Sequence, residues 1–463
     1  MTRRWLSRAA GMGRPAGPVR LVHLGLGNFF RSHQAWYTDR ASDAEKWGYA
    51  AFSGRSNGMA RVLEDQGGLY TLAVRSPDED RLELVNSISE AHSARDHQAW
   101  LASLSSQRVA AVTITVTEAG YCANAAGGLD FSRADVARDI QRLRADLTEP
   151  VVTTPARLVA GLAARQRADA GPITLISCDN LAGNAALTSR IVGQLAEFVD
   201  PSLSQWITES VAVAGTVVDR ITPRTTDEDL DAVSARAGYR DEAVVVTEPF
   251  SEWVISGAFP AGRPKWEDAG AVFANDVTDY EHRKLWLLNG AHSLLAYAGS
   301  MRGHRSVPQA IADEKCLSWV QQWWNEARRH LPQSAVELDA YSGKLLERFS
   351  NTKISDRLER IAEDGSQKIP VRVLPVLGAE RSAGRVATGA TRILAAWICH
   401  LRGLGAPIHD VDAPRMIALA QGTLQSAVPN VLFVLDPELA SDSEVVATIT
   451  EQCIEVSGLA GER

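Results

Sequence analysis

Two kinds of hydrophobic spacing divide this chain. Up to about Val277, short runs rich in Val, Ile and Thr alternate with longer stretches whose apolar residues return every three or four positions. The strand-like runs are Pro18–His23, Tyr49–Ser53, Leu82–Val85, Val109–Val116, Ile173–Ser177, Val211–Val218 and Ala243–Val246. Between them, Ser132–Leu147 and Ala186–Phe198 are helix-length and rich in Ala, Leu, Arg and Glu. Strands alternating with helices predict an α/β domain with a largely parallel sheet.

Beyond Val277 the strand signal stops. Glu281–Tyr297, Gln309–His330, Ala335–Phe349, Arg385–Arg402, Asp412–Gln425 and Ser443–Val456 all have helical period or composition. Pro308, Pro332, Pro370, Gly403 and Pro407 punctuate them. The pattern predicts an all-α C-terminal domain over residues 277–463, with Glu281–Tyr297 as its first helix.

The chain's 463 residues exceed one hydrophobic core and suit two or three domains. Hydrophobic residues at 45% and charged residues at 22% are ordinary globular values. A net charge of −8 and a pI near 5.8 argue against a nucleic-acid partner, which needs a basic face. No apolar run approaches the ~18–20 residues that cross a bilayer. Residues 1–17 carry Arg3, Arg4, Arg8 and Arg14 with no apolar stretch after them, and read as a flexible lead-in. Cys122, Cys178, Cys316, Cys399 and Cys453 are an odd number, widely spaced and without a C-x-x-C. They give no zinc signal and fit a reducing, cytoplasmic compartment.

The first run ends in Gly25-x-Gly27 and leads into a helical pattern, the arrangement of a dinucleotide turn. The first glycine permits the bend, and the second lets a pyrophosphate approach the backbone. Val22, Asn28, Phe29 and Phe30 flank the turn, and Arg31 is placed to meet phosphate. Phe30 stands where the fingerprint has its third glycine. Residues 18–276 are thus expected to form a Rossmann-type nucleotide-binding domain. The second run ends in Ser53-Gly54-Arg55-Ser56 without the acid that commonly holds an NAD ribose. Arg55 suits a 2′-phosphate or an adenine face, or is a solvated loop arginine, so the choice between NAD and NADP stays open.

Other strand ends carry polar groups. Thr115–Tyr121, which includes Glu118, and Ser177-Cys178-Asp179-Asn180 each close a predicted strand, where open α/β sheets bind ligands. Asn180 is an oxyanion donor or the head of an Asx turn. Val218–Pro223 places Asp219 and Arg220 after another strand, as a site or as a structural ion pair. Arg360, Asp364 and Lys368 combine a helix end with a turn, a pattern equally met at solvated helix termini.

The most telling cluster is Glu281, Lys284, Asn289 and His292. Only seven of the 48 cationic residues are lysines, so an amine in an apolar helix is not the chain's routine choice of positive charge. A desolvated lysine can lose its proton near neutral pH, which arginine cannot. At ~100° per residue, Lys284 and His292 lie ~80° apart on an α-helix, with Glu281 between them and Asn289 ~60° beyond. The alternative is a snorkelling lysine above satisfied core polars.

Together these segments resemble the polyol-specific long-chain dehydrogenases/reductases, the mannitol dehydrogenase family. The likeness is carried by Val22–Gln34, Thr115–Tyr121, Ser177–Asn180, Val218–Pro223, Thr247–Phe250, Lys284-x4-Asn289-x2-His292 and Arg360–Lys368. The resemblance implies a nucleotide-binding domain, a helical domain, an active site in the cleft between them, and no metal. It implies Lys284 as general base, Asn180 and Asn289 as oxyanion hole, and His292 hydrogen-bonded to the reacting oxygen. Asp219, Arg360 and Lys368 would hold substrate hydroxyls, with Glu281 on a water or proton path. Phe30 departs from the family's histidine, and Arg55-Ser56 from its acid, though some members acting on uronates share Arg-Ser. The base would need its pKa lowered from ~10.4 to roughly 7–8. The expected reaction is NAD(P)-dependent oxidation of a polyol, D-mannitol to D-fructose foremost. D-mannonate/D-fructuronate and D-arabinitol are alternatives, and a non-catalytic nucleotide-binding module is the competing class. No nucleic-acid or membrane partner is expected, and the assembly is a monomer or weak homo-oligomer.

Overall fold

The structure is a computed structural model and describes residues 4–54, 57–354 and 356–458. The chain folds as two compact units, Met1–Thr278 and Asp279–Arg463.

Unit one is built on an eight-stranded sheet. Its strands are β1 (Val19–Leu24), β2 (Gly48–Phe52), β3 (Ile88–His92), β4 (Ala111–Ile114), β5 (Ile173–Ser177), β6 (Val211–Asp219), β7 (Glu252–Ser256) and β8 (Val272–Phe273). They lie in the order β8-β7-β6-β5-β4-β1-β2-β3. The stretch β3-β2-β1-β4-β5-β6 is the parallel order of a Rossmann fold, which reverses between β1 and β4. On the far side, β7 pairs antiparallel with β6, with Glu252 opposite Asp219.

Burial on both faces explains why these strands read as continuous apolar runs. Along β1, Val22 and Leu24 enter one core, while Leu21 enters the core on the other face. Each such side chain contributes roughly 1.5–3 kcal/mol on leaving water. A smaller sheet pairs Tyr70–Val74 with Arg81–Val85 and Val245–Thr247.

Several elements depart from the sequence pattern. Thr154–Arg167 is a helix that the pattern did not reveal, because it is buried from Pro155 through Arg165 and has no polar face to mark its period. The N-terminal lead-in is not loose over its described part. Arg4–Trp5 pairs with Tyr239–Arg240, and Leu6 is buried. The Arg8 guanidinium donates to Gly67 O (2.7 Å), Asn86 O (3.0 Å) and Ile88 O (3.1 Å). Arg8 brings donors to those carbonyls from far along the chain, so composition alone misleads here.

Unit two is helical. Among its described residues the β-pairing is a single bridge, Ser306–Arg357. Gln309–His330 divides into Val307–Ile311 and Glu314–Ala327, because Asp313 accepts from Lys315 N and Cys316 N and starts a new helix. Asp412–Gln425 likewise divides into Ala413–Leu419 and Leu424–Leu435, with Gly422 at φ +87° between them. Pro370, expected as a break, lies inside Gly365–Arg372. No helix among the described residues is long and apolar enough to cross a membrane.

Candidate active site

In unit one the candidate residues gather at the carboxyl ends of β1, β4, β5 and β6. Gly25 has φ +113°, and a Cβ there would sit 1.9 Å from Thr115 O, so only glycine fits the bend. Thr115 Oγ1 donates to Gly25 O (3.0 Å) and contacts His23 Nε2 (3.1 Å), while His23 Nδ1 lies 2.8 Å from Thr113 Oγ1. His23, which the sequence did not single out, thus braces the turn from below. Burial pushes its pKa down to about 3 against the pull of backbone hydrogen bonds at Gly25 and Thr113, so the ring is neutral.

Gly25, Gly27, Asn28 and Phe29 remain partly exposed, open to a dinucleotide. Val22 and Phe30 are fully buried and can act only through packing. Phe30 stacks on His23 with centroids 3.5 Å apart, and its edge meets Tyr49. Arg31 corrects an expectation. Its guanidinium is turned inward, donating to Ala243 O, to Asn28 Oδ1 (2.7 Å) and to Gly27 O (3.3 Å). Burial lowers its pKa to about 10. It ties the turn to the chain before Val245–Thr247 instead of reaching for phosphate. Asn28 Nδ2 donates to Pro223 O (3.3 Å), fastening the turn to the loop after β6. Arg55 lies outside the described residues.

The loop after β4, with Glu118 exposed, is held by Asp179, to which the motif at the end of β5 gave no role of its own. The buried Asp179 carboxylate accepts from Val116 N (3.0 Å), Thr117 N (2.8 Å) and the Tyr121 hydroxyl (2.8 Å). Thr117 has φ +68° and ψ 164°, a region nearly reserved for glycine, and Asp179 anchors it there. Asn184 bonds Asp179 O (3.2 Å) and both backbone groups of Thr216, stitching the next loop to β6. Asn180 stands exposed between these two fastened residues. Asp219 ends β6 and is buried. Arg220 donates to Ser32 O (2.6 Å) and Glu248 O (3.2 Å), so it serves backbone carbonyls.

In unit two, Glu281, Lys284, Asn289 and His292 lie on one unbroken helical stretch, but it is not one α-helix. Thr278–Arg283 is α, Lys284–Gly290 is π-wound, Ala291–Leu294 is α and Leu295–Gly299 is π-wound again. A π ladder closes i to i+5, so Lys284 and Asn289 follow each other along one side. The α-helical angles expected for this set therefore do not apply. Lys284 is buried (7% exposed), Glu281 and Asn289 are half-buried, and the His292 ring packs on Phe349 at 4.8 Å.

The third cluster belongs to the same unit. Arg360 is exposed, next to half-buried Asp356, whose carboxyl is raised by desolvation despite Arg360 and Arg348. Lys368 Nζ donates to Ile361 O (3.3 Å) and Glu363 O (2.5 Å), using two of its three N–H groups. Desolvation and the neighbouring Arg372 lower its pKa. Gly365 is required here, since a Cβ would lie 2.2 Å from the Trp397 indole. His304, Asp313 and Cys316 also converge, but Arg302 already answers the Asp313 carboxylate at 2.8 Å.

The comparisons give this arrangement its context. Residues 19–268 match the mannitol dehydrogenase Rossmann domain, and residues 276–456 the mannitol dehydrogenase C-terminal domain. D-mannonate oxidoreductase of Escherichia coli strain K12 is 33% identical, with 85% of this chain and 82% of that protein covered. D-arabinitol 4-dehydrogenase of Ralstonia nicotianae is 36% identical, covering 84% and 83%. The mannitol 2-dehydrogenase of Pseudomonas fluorescens, solved as a ternary complex with NAD and D-mannitol, superposes with a TM-score of 0.78 at 30% identity, covering 97% of this chain and 93% of that one. A turn that only glycine allows, a buried lysine on a π-wound stretch, and these matches across both units make the chain an oxidoreductase of the mannitol dehydrogenase family.

Proposed function

We propose that this protein is an NAD(P)-dependent, metal-independent polyol dehydrogenase, with D-mannitol and D-fructose as its substrate pair. The observation that carries this reading is the buried Lys284 side chain, followed five residues on by Asn289 along one side of a π-wound segment. Burial disfavours the charged form of an amine, which is what a proton acceptor needs.

When bound, the coenzyme supplies the hydride acceptor, and Gly25, Gly27, Asn28 and Phe29 are the residues that would hold it. Lys284 takes the hydroxyl proton from the carbinol. The amides of Asn180 and Asn289 donate to the oxygen as its negative charge grows, and His292 hydrogen-bonds the same oxygen. Glu281 lies three residues before Lys284 and relays the proton to water. Asp219, Arg360 and the remaining N–H of Lys368 hold the other hydroxyls, since an uncharged polyol is recognised by paired hydrogen bonds.

The two cations at 360 and 368 equally suit a carboxylate, which favours a hexuronate as the second reading. Side-by-side assay of D-mannitol with NAD and NADP, D-fructuronate with NADH, and D-arabinitol decides between them. Mannitol turnover with the highest kcat/KM, unaffected by a chelator, is the expected result. A preference for fructuronate transfers the reading to uronate reduction, and no turnover of any of these removes it.

A further inference from the structure

The π winding of Lys284–Gly290 is gripped from outside. Trp323 and Trp324, adjacent on the helix Glu314–Ala327, are fully buried, and their indole N–H groups donate to consecutive carbonyls of the segment. Trp323 Nε1 reaches Trp286 O and Trp324 Nε1 reaches Leu287 O, both at 2.8 Å. From another helix, Gly365–Arg372, the Arg372 guanidinium donates to Asn289 O (3.4 Å) and Ser293 Oγ (3.1 Å). Three side chains from two helices therefore address carbonyls at positions 286, 287 and 289. Gly290 makes the grip possible: a Cβ there would lie 2.7 Å from the Trp323 ring.

External donors that compete for main-chain carbonyls tilt them off the helix axis and disturb the i to i−4 ladder. A π turn is rare and needs such a cause. Its effect here is specific. In an α-helix Lys284 and Asn289 would lie about 140° apart, whereas an i to i+5 ladder brings them onto one side. Arg372 also lies one turn after Lys368, so the helix carrying that cation is tied to the segment carrying the amine.

We infer that Trp323, Trp324 and Arg372 are positioning residues that hold the π register of Lys284–Gly290 and so keep the Lys284 amine and the Asn289 amide directed at one substrate oxygen. The inference rests on the roles given to Lys284 and Asn289 above. A misplacement near 1 Å typically costs ~10²-fold in rate.

The test is the double variant W323F/W324F, which keeps an aromatic ring, though a smaller one, at each position and removes both N–H groups, with each single variant alongside in case the double fails to fold. R372M and R372K are made as a pair. Turnover of the preferred substrate is measured with KM for each substrate, and a crystal structure of the double variant reports the winding. The expected result is a kcat lowered about 10- to 100-fold with KM for the coenzyme unchanged, loss of π winding at 284–290, and near-normal kcat in R372K but not R372M. A π register kept intact without the indole donors overturns the inference, whatever the substrate proves to be. So does a changed register with unchanged kcat, or a fall in thermal stability without the kcat-against-KM split. Failure of Lys284→Ala to reduce turnover instead strikes the underlying reading of the base, and is distinguishable because it leaves the register measurement standing.

Discussion

The turn at Gly25 and the segment at Lys284–Gly290 each place a glycine where atoms of another element press on the main chain. At Gly25 the pressure is local to the sheet: the backbone itself takes φ +113° to bend away from β1, and Thr115 O, just past the end of neighbouring β4, fills the space of a Cβ. At Gly290 the backbone is ordinary helix, with φ −64°, and the intruder is the indole of Trp323 from another helix. One glycine is required by conformation and the other by contact. The first kind leaves a readable motif because strand, glycine and helix are consecutive. The second leaves none, because the partner lies 33 residues further along the chain.

The largest expected effect separates chemistry from coenzyme binding. Lys284→Ala removes the proposed base and lowers kcat by about 10³-fold or more. Coenzyme affinity, measured by quenching of protein fluorescence, stays within a few-fold, since the glycine turn is untouched. Near-normal turnover would take Lys284 out of the mechanism. Next comes Asn180→Ala, expected to cost ~10²–10³ in kcat as one donor to the developing alkoxide is lost. An effect confined to KM would make Asn180 only a binding residue.

Gly25→Ala tests the other side of the comparison. It forces a Cβ against Thr115 O at a positive φ and should cost about 2–4 kcal/mol of stability, read as a fall in Tm, together with weakened coenzyme binding. A variant with unchanged Tm and coenzyme affinity would show that the turn relaxes at little cost.

The smallest effect is a pH dependence. The unfolded chain protonates His23 below about pH 6.5, whereas the buried ring resists protonation down to about pH 3. The unfolded state then binds more protons, so this contribution is complete above pH 6.5 and is lost as pH falls towards 3. Between pH 7 and pH 5 the loss is about 2 kcal/mol, at 1.36 kcal/mol per pH unit. His23→Gln should flatten that part of the profile in chemical denaturation. An identical slope in the variant would mean that another group carries it.

Residue patterning made much of unit one legible. Ile173–Ser177 is a strand over the very residues expected, and β1 and β6 differ from expectation by a residue at their ends. The apolar runs are long and β-branched because the strands are covered on both faces. In unit two, Ala335–Phe349 matches because Ser334 and Glu337 form a capping box that marks its start. The π winding was not legible, since a lysine, an amide and an imidazole at these intervals read equally well as an α-helix. Arg31 was misread for a related reason. Its position in the motif points towards phosphate, but Ala243, 212 residues away, supplies the acceptor that turns it inward.

What the sequence alone determined is the alternation of apolar runs and helices, the glycine turn, and the inventory of polar groups at strand and helix ends. These follow from neighbours a few residues apart, and local propensity and period are encoded at that range. Tertiary structure decided which of those groups remain open to a ligand and how the helix bearing Lys284 is wound. Buried donors and carbonyls must find partners wherever the fold brings them together. Asp179 beneath the Thr117 backbone, and Trp323 and Trp324 against the carbonyls of Trp286 and Leu287, meet that requirement across distances the linear pattern does not record.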